Sequence, residues 1–583
     1  MTSQKRESLF YRYRYFLVHF VVFCLFVLVL LRAAQVQVID FDFLRDQGEA
    51  RIKRQKVIPA YRGVITDRNG YDLAISIPVQ SLWVNPSQLI QSPKIFADSR
   101  WHQLAVLLEK SSDELTQWVK ARGQRQFVYI ERHLAPEVAN YIRRLNIPGV
   151  NLLGESKRFY PSAEVTAHVI GFTGIEDQGL EGIEKSFDTW LTGEQGLEWV
   201  TKDRLGRVIA HDGVAKPMRP GKNLALSLDL KIQTAAYREL KRTVKQFEAS
   251  SGSMVILDVH TGEVLAMVNQ PSFNPNLNAS RLPNLTRNRA LLDIFEPGST
   301  AKTFTVLSGL EFGDIAPNTI IDTSPGIMRV GGSWVRDGGA NYGKLDLAGV
   351  LRKSSNIGSS KIALKLTTEQ LLAGFYAVGF GLETGVGFPG ESQGIFATRT
   401  RWSQFERAAL SYGYGVAVTA LQLARAYSVI ANGGYLLPIT LLKHPENHGF
   451  EKKRVISETN AKAVVAMLEE VVSEEGTGKA ARLRGYRVAG KTGTNRIAAE
   501  GGYTSNYTAI FAGIAPLESP RLAAVVVIDN PAGDYYHGGE TAAPTYARVM
   551  RQALRIINAA PDKVEKTDIR LASHQKRVRP DDI

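Results

Sequence analysis

The most apolar stretch of the chain lies close to its N-terminus, where Phe16 to Leu31 reads FLVHFVVFCLFVLVLL. With Tyr15 and the two alanines that follow, it reaches the ~20 residues that a helix needs to cross a bilayer. Charged residues flank both ends and no polar face interrupts the run, which argues against a buried core helix. A cleaved signal peptide is the alternative, but such peptides have apolar regions of ~7–15 residues and a small-residue cleavage site, which we do not find here. The pattern predicts an uncleaved, single N-terminal transmembrane helix over residues 16–38.

The charges on either side of this run predict the orientation of the anchor. Basic residues precede it and acidic residues follow it: Lys5, Arg6, Arg12 and Arg14 on one side, Asp40, Asp42 and Asp46 on the other. Because basic flanks stay on the cytoplasmic side of a membrane, residues 1–15 are predicted to form a short cytoplasmic tail. The chain from residue 39 onward is then periplasmic, outside the inner membrane.

Between residues 39 and 220 the spacing of the apolar positions changes several times, which is typical of a mixed α/β region. The stretch YRGVITDRNGYDLAIS, Tyr61 to Ser76, alternates apolar and polar residues around Asn69-Gly70 and predicts a β-hairpin. Residues 99–145 have apolar positions at helical spacing and are predicted to be helical. We recognise no cluster of catalytic residue types in this region.

From residue 221 the pattern places strands at both ends and helices between them. Two apolar strands flank a turn at His260–Glu263, and three more are predicted in YRVAGKTGT, YTAIFAGIAPL and RLAAVVVID, before a helix from Thr545 to Asn558. One mostly antiparallel five-stranded sheet flanked by helices satisfies this order best. The predicted fold class is therefore α+β, with residues 221–560 as a second domain. The charged tail at 561–583 is predicted to be disordered.

Composition excludes several classes of function. The single cysteine, Cys24, rules out an internal disulfide and a cysteine-built zinc site, and the ten histidines form no H-E-x-x-H pair, so no metal or other cofactor is expected. The formal charge of +14 is spread along the chain without a recognition module, so no nucleic acid partner is expected. A basic surface suits a protein that faces anionic membrane and wall polymers.

The stretch EPGSTAKTF contains the first candidate for chemistry. Ser299 and Lys302 lie three residues apart on one helix face, where the amine can reach the hydroxyl and take its proton. Pro297 and Gly298 start the helix there, so free N–H groups surround the predicted nucleophile. Serine is also a common N-cap, and a second S-x-x-K, Ser573–Lys576, occurs by chance in the tail, so the motif alone is weak.

Two further motifs follow in a fixed order. RKSSNIGSS contains Ser354 and Asn356 in an S-x-N pattern, and VAGKTGTN contains Lys491-Thr492-Gly493-Thr494 on a predicted strand. An earlier S-x-N, Ser272–Asn274, precedes the nucleophile and is treated as chance. The sequence S-x-x-K, S-x-N, K-T-G is the signature of the penicillin-binding and serine β-lactamase group, which the chain resembles.

These motifs predict how the roles are divided. The predicted catalytic residues are Ser299, Lys302, Ser354, Asn356 and Lys491, and the predicted substrate-binding residues are Thr492, Gly493 and Thr494. The K-T-G segment offers a cation and hydroxyls to a substrate carboxylate, and its glycine leaves room for the substrate backbone. Ser354 relays a proton between Lys302 and an amine, while Asn356 holds the lysine and the substrate amide. The backbone N–H groups of Ser299 and Thr494 form the predicted oxyanion hole.

Longer stretches resemble the class B penicillin-binding proteins of the cell-division type, the FtsI family. They are RGVITDRNGYDLAIS, SKRFYPSAEVTAHVIGFTGIEDQGLEGIEKSFDTWLTGEQG, FEPGSTAKTF, SYGYGVAVTALQLARAYSVIANGG and GKTGT. The resemblance implies that residues 39–220 form an elongated, non-catalytic pedestal of the dimerisation type, and that 221–560 form a transpeptidase domain like that of serine β-lactamases. It also implies a peptidoglycan D,D-transpeptidase at the division septum, accompanied by a multi-span glycan polymerase and other division proteins.

The implied mechanism is ping-pong acyl transfer between peptidoglycan pentapeptide stems. Ser299 attacks the carbonyl between the two terminal D-alanines, D-alanine leaves, and the acyl group passes to the amine of a neighbouring stem. A β-lactam mimics the D-alanyl-D-alanine end and acts as a covalent inhibitor at Ser299. Asn495 stands where many relatives carry Ala or Ser, which puts acceptor or inhibitor preference in doubt.

Several alternatives stay open. A carboxypeptidase or β-lactamase would use Ser299 and Lys302 but pass the acyl group to water, although the anchor and pedestal argue against a secreted β-lactamase. A rod-elongation transpeptidase would share all of the chemistry. A β-lactam sensor or a scaffold would bind without useful turnover, although only about fifteen residues precede the helix as a cytoplasmic output for a sensor.

Overall fold

The computed structural model describes residues 4–203, 208–396, 399, 401–445, 452–499 and 502–563. Internal contacts divide the chain into two compact units, residues 1–61 with 193–220 and residues 62–192 with 221–583. This division groups most of the predicted pedestal region with the predicted transpeptidase region, so the domain boundary at residue 220 stays a prediction. Residues 564–583 of the predicted tail lie outside the described residues.

The first unit begins with a long helix, Gln4–Ala34, which continues through a π-helical turn, Gln35–Ile39, and is followed by the helix Phe41–Ile52. Among the described residues, one helical segment is long and apolar enough to cross a membrane, Arg12–Ile39. None of its most apolar window is buried within the chain. Its length and composition agree with the predicted anchor.

A three-stranded antiparallel sheet completes the first unit. Gly196–Lys202 is the central strand and pairs with Lys53–Ile58 on one side and with Val208–Lys216 on the other. Every residue of Val208–Lys216 is exposed. The sheet therefore joins the segment that follows the helices to a hairpin almost 140 residues later in the chain.

The first part of the second unit is built around one long strand, Asp72–Val84. It pairs antiparallel with Ile65–Thr66, Val128–Leu134 and Val150–Phe159, and Ile65–Thr66 also pairs parallel with Leu224–Ala225. The pairing of Ile65 with Ala74 confirms the predicted hairpin. The helices of this part are Pro86–Gln91, Ser99–Leu107, Ser112–Lys120, Pro136–Leu145, Ala167–Ile170, Gly182–Ser186 and Asp188–Leu191, with 3₁₀ turns at Pro93–Ala97 and Ala163–Val165.

The prediction that residues 99–145 are helical was wrong in its middle. Three helices form there, but Val128–Leu134 is a strand. Phe127 stacks on Trp83 at 4.6 Å, and Tyr129 lies opposite Trp83 in the ladder. Aromatic pairs across antiparallel strands stabilise a sheet, and this partner lies more than forty residues earlier in the chain.

The predicted five-stranded antiparallel sheet is present in the second unit. Its strands are β1 (Ser251–Asp258), β2 (Val264–Gln270), β3 (Ala489–Ala499), β4 (Gly502–Ala515) and β5 (Leu522–Asp529), in the spatial order β2-β1-β5-β4-β3. All neighbouring pairs are antiparallel. The segment with K-T-G lies on β3, so these residues are on an edge strand.

Helices cover both faces of this sheet. The helices Leu230–Gln246 and Ala542–Ile556 pack on one face, where they share a core with Met254 and Ile256 of β1. The intervening β1 residues Val255 and Leu257 join the larger core on the opposite face. This alternation follows from the two-residue period of a strand and explains why β1 is hydrophobic on both sides.

The segment between β2 and β3 forms the second layer. Its helices are Pro283–Thr286, Arg289–Leu292, Lys302–Phe312, Leu347–Arg352, Asn356–Lys365, Thr368–Ala377, Gln404–Ser411, Ala420–Ala431 and Glu458–Val471, with 3₁₀ turns at Asn278–Ser280, Gly298–Ala301 and Lys479–Ala481. Four two-stranded ribbons lie among them: Ile321–Asp322 with Lys344–Leu345, Ile327–Val330 with Ser333–Arg336, Ile395–Phe396 with Val416–Ala417, and Tyr435–Leu436 with Lys453–Arg454.

Candidate active site

Ser299 lies in a 3₁₀ turn, Gly298–Ala301, that leads directly into the helix Lys302–Phe312. The N-cap of the turn is Pro297, so the alternative reading of Ser299 as the helix N-cap is wrong. The side chain of Thr300 closes the turn by donating to Pro297 O at 2.6 Å. The hydroxyl of Ser299 is thus left for another partner.

That partner is Lys302. Its Nζ donates to Ser299 Oγ at 2.9 Å, to Ser354 O at 2.7 Å and to Ser354 Oγ at 3.1 Å. The lysine is fully buried. One amine therefore joins two of the predicted catalytic serines.

Burial sets the protonation state of this amine. It lowers the pKa of Lys302 well below the ordinary value, and the nearby Lys491 lowers it further, while the Asp337 carboxylate acts in the opposite direction. Desolvation disfavours the charged form of an amine. A neutral Lys302 can accept a proton from the Ser299 hydroxyl, which a protonated lysine cannot do.

Ser354 occupies a turn between two helices, with φ at +56°. Its Oγ accepts from both lysines, since Lys491 Nζ lies 3.0 Å away. The next residue, Ser355, caps the following helix by accepting from Gly358 N at 2.8 Å. Ser354 Oγ therefore bridges the two buried amines.

Asp337 holds this turn in place, and the sequence analysis did not identify it. Its carboxylate accepts from Ser355 Oγ at 2.6 Å and from Ile357 N at 3.0 Å. Asp337 follows the short strand Ser333–Arg336 and has no motif around it, so no sequence signal pointed to it.

Asn356 begins the helix that follows Ser354, and its Nδ2 donates to Arg336 O at 3.0 Å. Its predicted roles in holding Lys302 and the substrate amide depend on the side-chain oxygen and stay predictions.

Lys491 reaches the same place from β3. It is fully buried, and its Nζ donates to Ser354 Oγ and to Thr492 O at 3.1 Å. Burial lowers the pKa of Lys491 to about 7. A substrate carboxylate beside it would favour the charged amine, so the residue can act as the cation that the K-T-G motif predicts.

The rest of the K-T-G segment is fixed by its neighbours. Thr492 Oγ1 and Thr477 Oγ1 lie 2.8 Å apart, and Thr494 Oγ1 accepts from Gly538 N at 3.0 Å. A Cβ on Gly493 would lie only 3.1 Å from Pro297 O. The glycine thus lets the nucleophile turn pack against β3, a structural reason beside the predicted room for substrate.

Two of the supporting residues lie in stretches for which the sequence predicted no role. The Thr477 hydroxyl contacts that of Thr492. A Cβ on Gly413 would overlap the backbone of Gly298, and the φ of Gly413 is +92°. The unusual density of glycine in SYGYG was the available signal.

The predicted oxyanion donors belong to a helical turn and to a strand. Ser299 N is in the first turn of its helix, where N–H groups have no partner in the helix. Thr494 N is on the edge strand β3. Across the described residues, no group of three or more His, Cys, Asp or Glu side chains is arranged to hold a metal ion.

Comparisons with known proteins identify the family. The family model of the penicillin binding protein transpeptidase domain matches residues 252–551, and that of the penicillin-binding protein dimerisation domain matches residues 57–226. Over 567 residues the chain is 41% identical to the peptidoglycan D,D-transpeptidase FtsI of Escherichia coli, which covers 97% of this chain and 95% of that protein. The chain is a class B penicillin-binding protein of the FtsI family. It is also 39% identical to a probable peptidoglycan D,D-transpeptidase, PbpC, of Pseudomonas aeruginosa, over 97% of this chain and 98% of that one.

Solved structures of penicillin-binding proteins agree with this assignment. The transpeptidase domain of penicillin-binding protein 3 from Burkholderia pseudomallei is 39% identical and covers 58% of this chain and 98% of its own, with a TM-score of 0.54. Penicillin-binding protein 3 from Mycobacterium tuberculosis, solved with aztreonam, is 27% identical and covers 87% of this chain and 98% of its own, with a TM-score of 0.66. The predicted family and fold class are confirmed, and the chain is a single-pass membrane protein of the division type.

Proposed function

We propose that this class B penicillin-binding protein cross-links peptidoglycan stem peptides during septal wall synthesis through an acyl-enzyme on Ser299. The observation that carries the proposal is the contact of 2.9 Å between Ser299 Oγ and the Nζ of a fully buried Lys302. A base within hydrogen-bond reach of a hydroxyl is the arrangement that activates a serine nucleophile. The relatives in Escherichia coli and Pseudomonas aeruginosa are a peptidoglycan D,D-transpeptidase and a probable one, which supports the same reaction.

Acylation begins when neutral Lys302 takes the proton of Ser299 Oγ as the oxygen attacks the carbonyl between the terminal D-alanines. The backbone N–H groups of Ser299 and Thr494 stabilise the resulting oxyanion, and one such donor is worth ~10²–10³ in rate in other acyl-transfer enzymes. The proton then passes to the leaving amine through Ser354 Oγ, which lies 3.1 Å from Lys302 Nζ. The amide bond breaks, D-alanine leaves and an ester on Ser299 remains.

Deacylation runs the same proton path in reverse. The amine of a neighbouring stem attacks the ester carbonyl, and its proton passes through Ser354 towards Lys302. The ester bond breaks, the new amide is the cross-link, and the proton returns to Ser299 Oγ. Before acylation, Lys491 and the hydroxyls of Thr492 and Thr494 hold the carboxylate of the donor stem's terminal D-alanine, which departs with that residue. A β-lactam enters by the same first step and stays as a covalent ester.

The membrane arrangement belongs to the same proposal. The N-terminal helix anchors the chain in the inner membrane with its basic end in the cytoplasm and both domains in the periplasm, because basic flanks stay inside. A multi-span glycan polymerase supplies the strands that are joined. A reporter that fluoresces only in the cytoplasm, fused to the N-terminus, is expected to be bright, and the same fusion at the C-terminus dark. Reversed signals would contradict the orientation.

The catalytic assignment is tested by labelling. We would incubate the full chain, purified in detergent, with a fluorescent penicillin and follow the adduct by intact mass and peptide mapping. One label per chain at Ser299 is expected, with no label on Ser299→Ala. Lys302→Ala should label at least 100-fold more slowly, because the base contributes about 10²–10⁴ in rate. Lys365→Ala, which removes an exposed lysine from a nearby helix, is the matched control and should label normally.

The outcomes separate the alternatives. A folded wild-type chain without an adduct would overturn the catalytic assignment and favour a scaffold. An adduct that hydrolyses within seconds would favour a β-lactamase, and release of D-alanine without cross-linking in the presence of an acceptor amine would favour a carboxypeptidase. A chain that labels at Ser299 but localises along the side wall instead of the septum would favour the rod-elongation role.

A further inference from the structure

Asn495 directly follows the K-T-G-T segment on β3 and has an unusual environment. Asn495 is buried, with an exposed fraction of 3%. Its Nδ2 donates to the backbone oxygen of Glu296, three residues before Ser299. Its Oδ1 is buried and has no hydrogen-bond partner within the described part of the chain. A buried amide oxygen without a partner costs stability, so packing alone does not account for an asparagine here.

The unpaired oxygen faces Gly298. A Cβ built on Gly298 would overlap Asn495 Oδ1, and the other nearby atoms also belong to Asn495. Gly298 has φ at +53°, a conformation that favours glycine. On another side of the same residue, a Cβ on Gly413 would overlap the backbone of Gly298. The peptide between Gly298 and Ser299 is therefore clamped between a side chain of β3 and the glycine loop, residues 411–415 (SYGYG).

Glu296, two residues before Gly298, is fixed as well. The Glu296 carboxylate accepts from Gly415 N at 3.0 Å and from Tyr503 Oη at 3.1 Å. Together with the Asn495 bond to Glu296 O, these contacts join the turn before the nucleophile to β3, to β4 and to the glycine loop. Ser299 N–H, the predicted oxyanion donor, is the next backbone amide after the clamped residue.

We propose that Asn495 is a positioning residue for acylation, which orients the Gly298–Ser299 peptide so that the Ser299 N–H and Oγ meet the substrate carbonyl together. The proposal rests on the proposed function of Ser299. Asn495 does not touch the reacting atoms and acts only through this peptide. An oxyanion donor stabilises charge only at about 2.7–3.1 Å from the oxygen, so a small rotation of the peptide lowers the rate without weakening the initial binding of the ligand.

The test is pre-steady-state acylation of the full-length protein in detergent by a chromogenic cephalosporin. Saturation kinetics separate the non-covalent dissociation constant from the acylation rate constant. We expect Asn495→Ala to lower the acylation rate constant about tenfold, less than the ~10²–10³ for outright loss of a donor. Asn495→Asp keeps the shape but cannot donate to Glu296 O, so it should be at least as slow. The dissociation constant should stay within about twofold, because the carboxylate-binding residues are untouched.

The control is Asn506→Ala, an exposed asparagine on the neighbouring strand β4, which should acylate at the wild-type rate. Final labelling stoichiometry counts the folded chains, so partial unfolding does not imitate a slow rate constant. Equal acylation rate constants for wild type and Asn495→Asp would overturn the proposal. Variants with a lower melting temperature but an unchanged acylation rate constant would overturn it as well. A wild type without any adduct at Ser299 would instead overturn the proposed function.

A second experiment tests the contact itself. Gly298→Ala should acylate far more slowly than wild type, because its methyl group meets Asn495 Oδ1. Since the three atoms nearest to that methyl group all belong to Asn495, the double variant Gly298→Ala/Asn495→Ala should regain at least tenfold of the lost rate. It should not reach the rate of Asn495→Ala, because alanine at φ +53° remains strained. A double variant as slow as Gly298→Ala would contradict the clamp.

Discussion

Two segments bring hydroxyls to Lys302, and the chain holds them by different forces. The nucleophile segment, residues 297–301, is held by close packing around Ser299: Gly298, Gly413 and Gly493 stand where a side chain would overlap or crowd a neighbour. The hydrogen bonds of Glu296 lie just before this segment. The S-x-N segment, residues 351–357, is held by hydrogen bonds, above all by those from Ser355 Oγ and Ile357 N to the Asp337 carboxylate.

The difference indicates how each segment should respond to change. Where two backbones are packed in contact, there is no space for an added methyl group, so such a group must displace a whole peptide unit. A hydrogen-bonded carboxylate can be replaced by an isosteric group that keeps part of the contact. We therefore expect substitutions in the nucleophile segment to cost more activity than substitutions that loosen the S-x-N segment, although both segments meet at the same amine.

The largest effect is expected from Gly413→Ala. Its methyl group would overlap the backbone of Gly298, and φ at +92° adds strain. Displacement of Ser299 by even ~1 Å can cost about 10²-fold in rate, so acylation by a fluorescent penicillin should fall by at least that factor. Gly415→Ala is the matched control: its φ is +80°, but a Cβ there meets nothing within 4 Å. Similar losses in both variants would show that backbone strain, and not the contact with Gly298, is responsible.

A smaller effect is expected from Asp337→Asn. The amide keeps one acceptor but loses the charge that favours the hydrogen bonds from Ser355 and Ile357, which should cost about 1–2 kcal/mol of unfolding free energy. Looser placement of Ser354 should lower the acylation rate about tenfold, in the range of a weakened proton relay. Asp346→Asn removes the charge from another carboxylate that holds the start of a helix: Asp346 is an N-cap and accepts from Gly349 N at 2.7 Å, outside the site. Asp346→Asn should lower the unfolding free energy by a similar amount but should change the acylation rate little. Equal losses of acylation rate in both variants would show that Asp337 has no specific role in placing Ser354.

The pH dependence of acylation should sharpen the comparison further, because the two amines titrate in opposite roles. Lys302 must be neutral to act as the base, and its pKa is lowered well below the ordinary value by burial and by Lys491. Lys491 must be charged to hold a carboxylate, and burial lowers its pKa to about 7. The rate constant divided by the dissociation constant should therefore follow a bell-shaped profile, with limbs that belong to the coupled pair.

Lys491→Arg tests the alkaline limb of this profile. Arginine stays charged throughout the accessible range, so the limb should disappear even if the overall rate falls several-fold because the guanidinium fits the site less well. The profile would be measured from about pH 5.5 to 9.5 with the same cephalosporin. Persistence of the alkaline limb in this variant would assign it to another group.

The sequence predicted the five-stranded sheet and the order of the three motifs because both are local patterns. β1 and β5 are continuous apolar runs, and each motif is complete within four residues. Asp337 and Thr477 could not be predicted in the same way. Each contacts a residue of a motif that lies 15 or more positions away in the sequence. Only the folded segment between β2 and β3 brings each residue to its partner.

The errors have the same cause. The strand Val128–Leu134 was predicted to be helical because its partner, Asp72–Val84, lies more than forty residues earlier and its pairing leaves no local mark. Gly413 was visible as glycine-rich sequence, but the residue that it approaches, Gly298, could be named only from the fold.

The smallest effect concerns stability, and it follows from the burial of Lys491, the amine that joins the K-T-G segment to Ser354 of the S-x-N segment. The pKa of Lys491 falls from an ordinary 10.5 to about 7 in the folded chain. Between these values the unfolded chain binds more protons than the folded chain, so stability should rise with pH from about 7 to 10.5, and the full penalty is present below about pH 7. Lys491→Met removes the penalty but leaves Ser354 Oγ and Thr492 O without this donor, so the gain is partly offset.

We therefore expect Lys491→Met to raise the melting temperature by roughly 2–5 °C at pH 7 and by less at pH 10, while acylation is lost. Lys365→Met, at an exposed position, should change neither the melting temperature nor its slope with pH. An unchanged slope in Lys491→Met would mean that another group causes the pH dependence. A flatter slope would show that the active site destabilises the fold by burying an amine, and that the S-x-N and K-T-G segments are held together at the expense of stability.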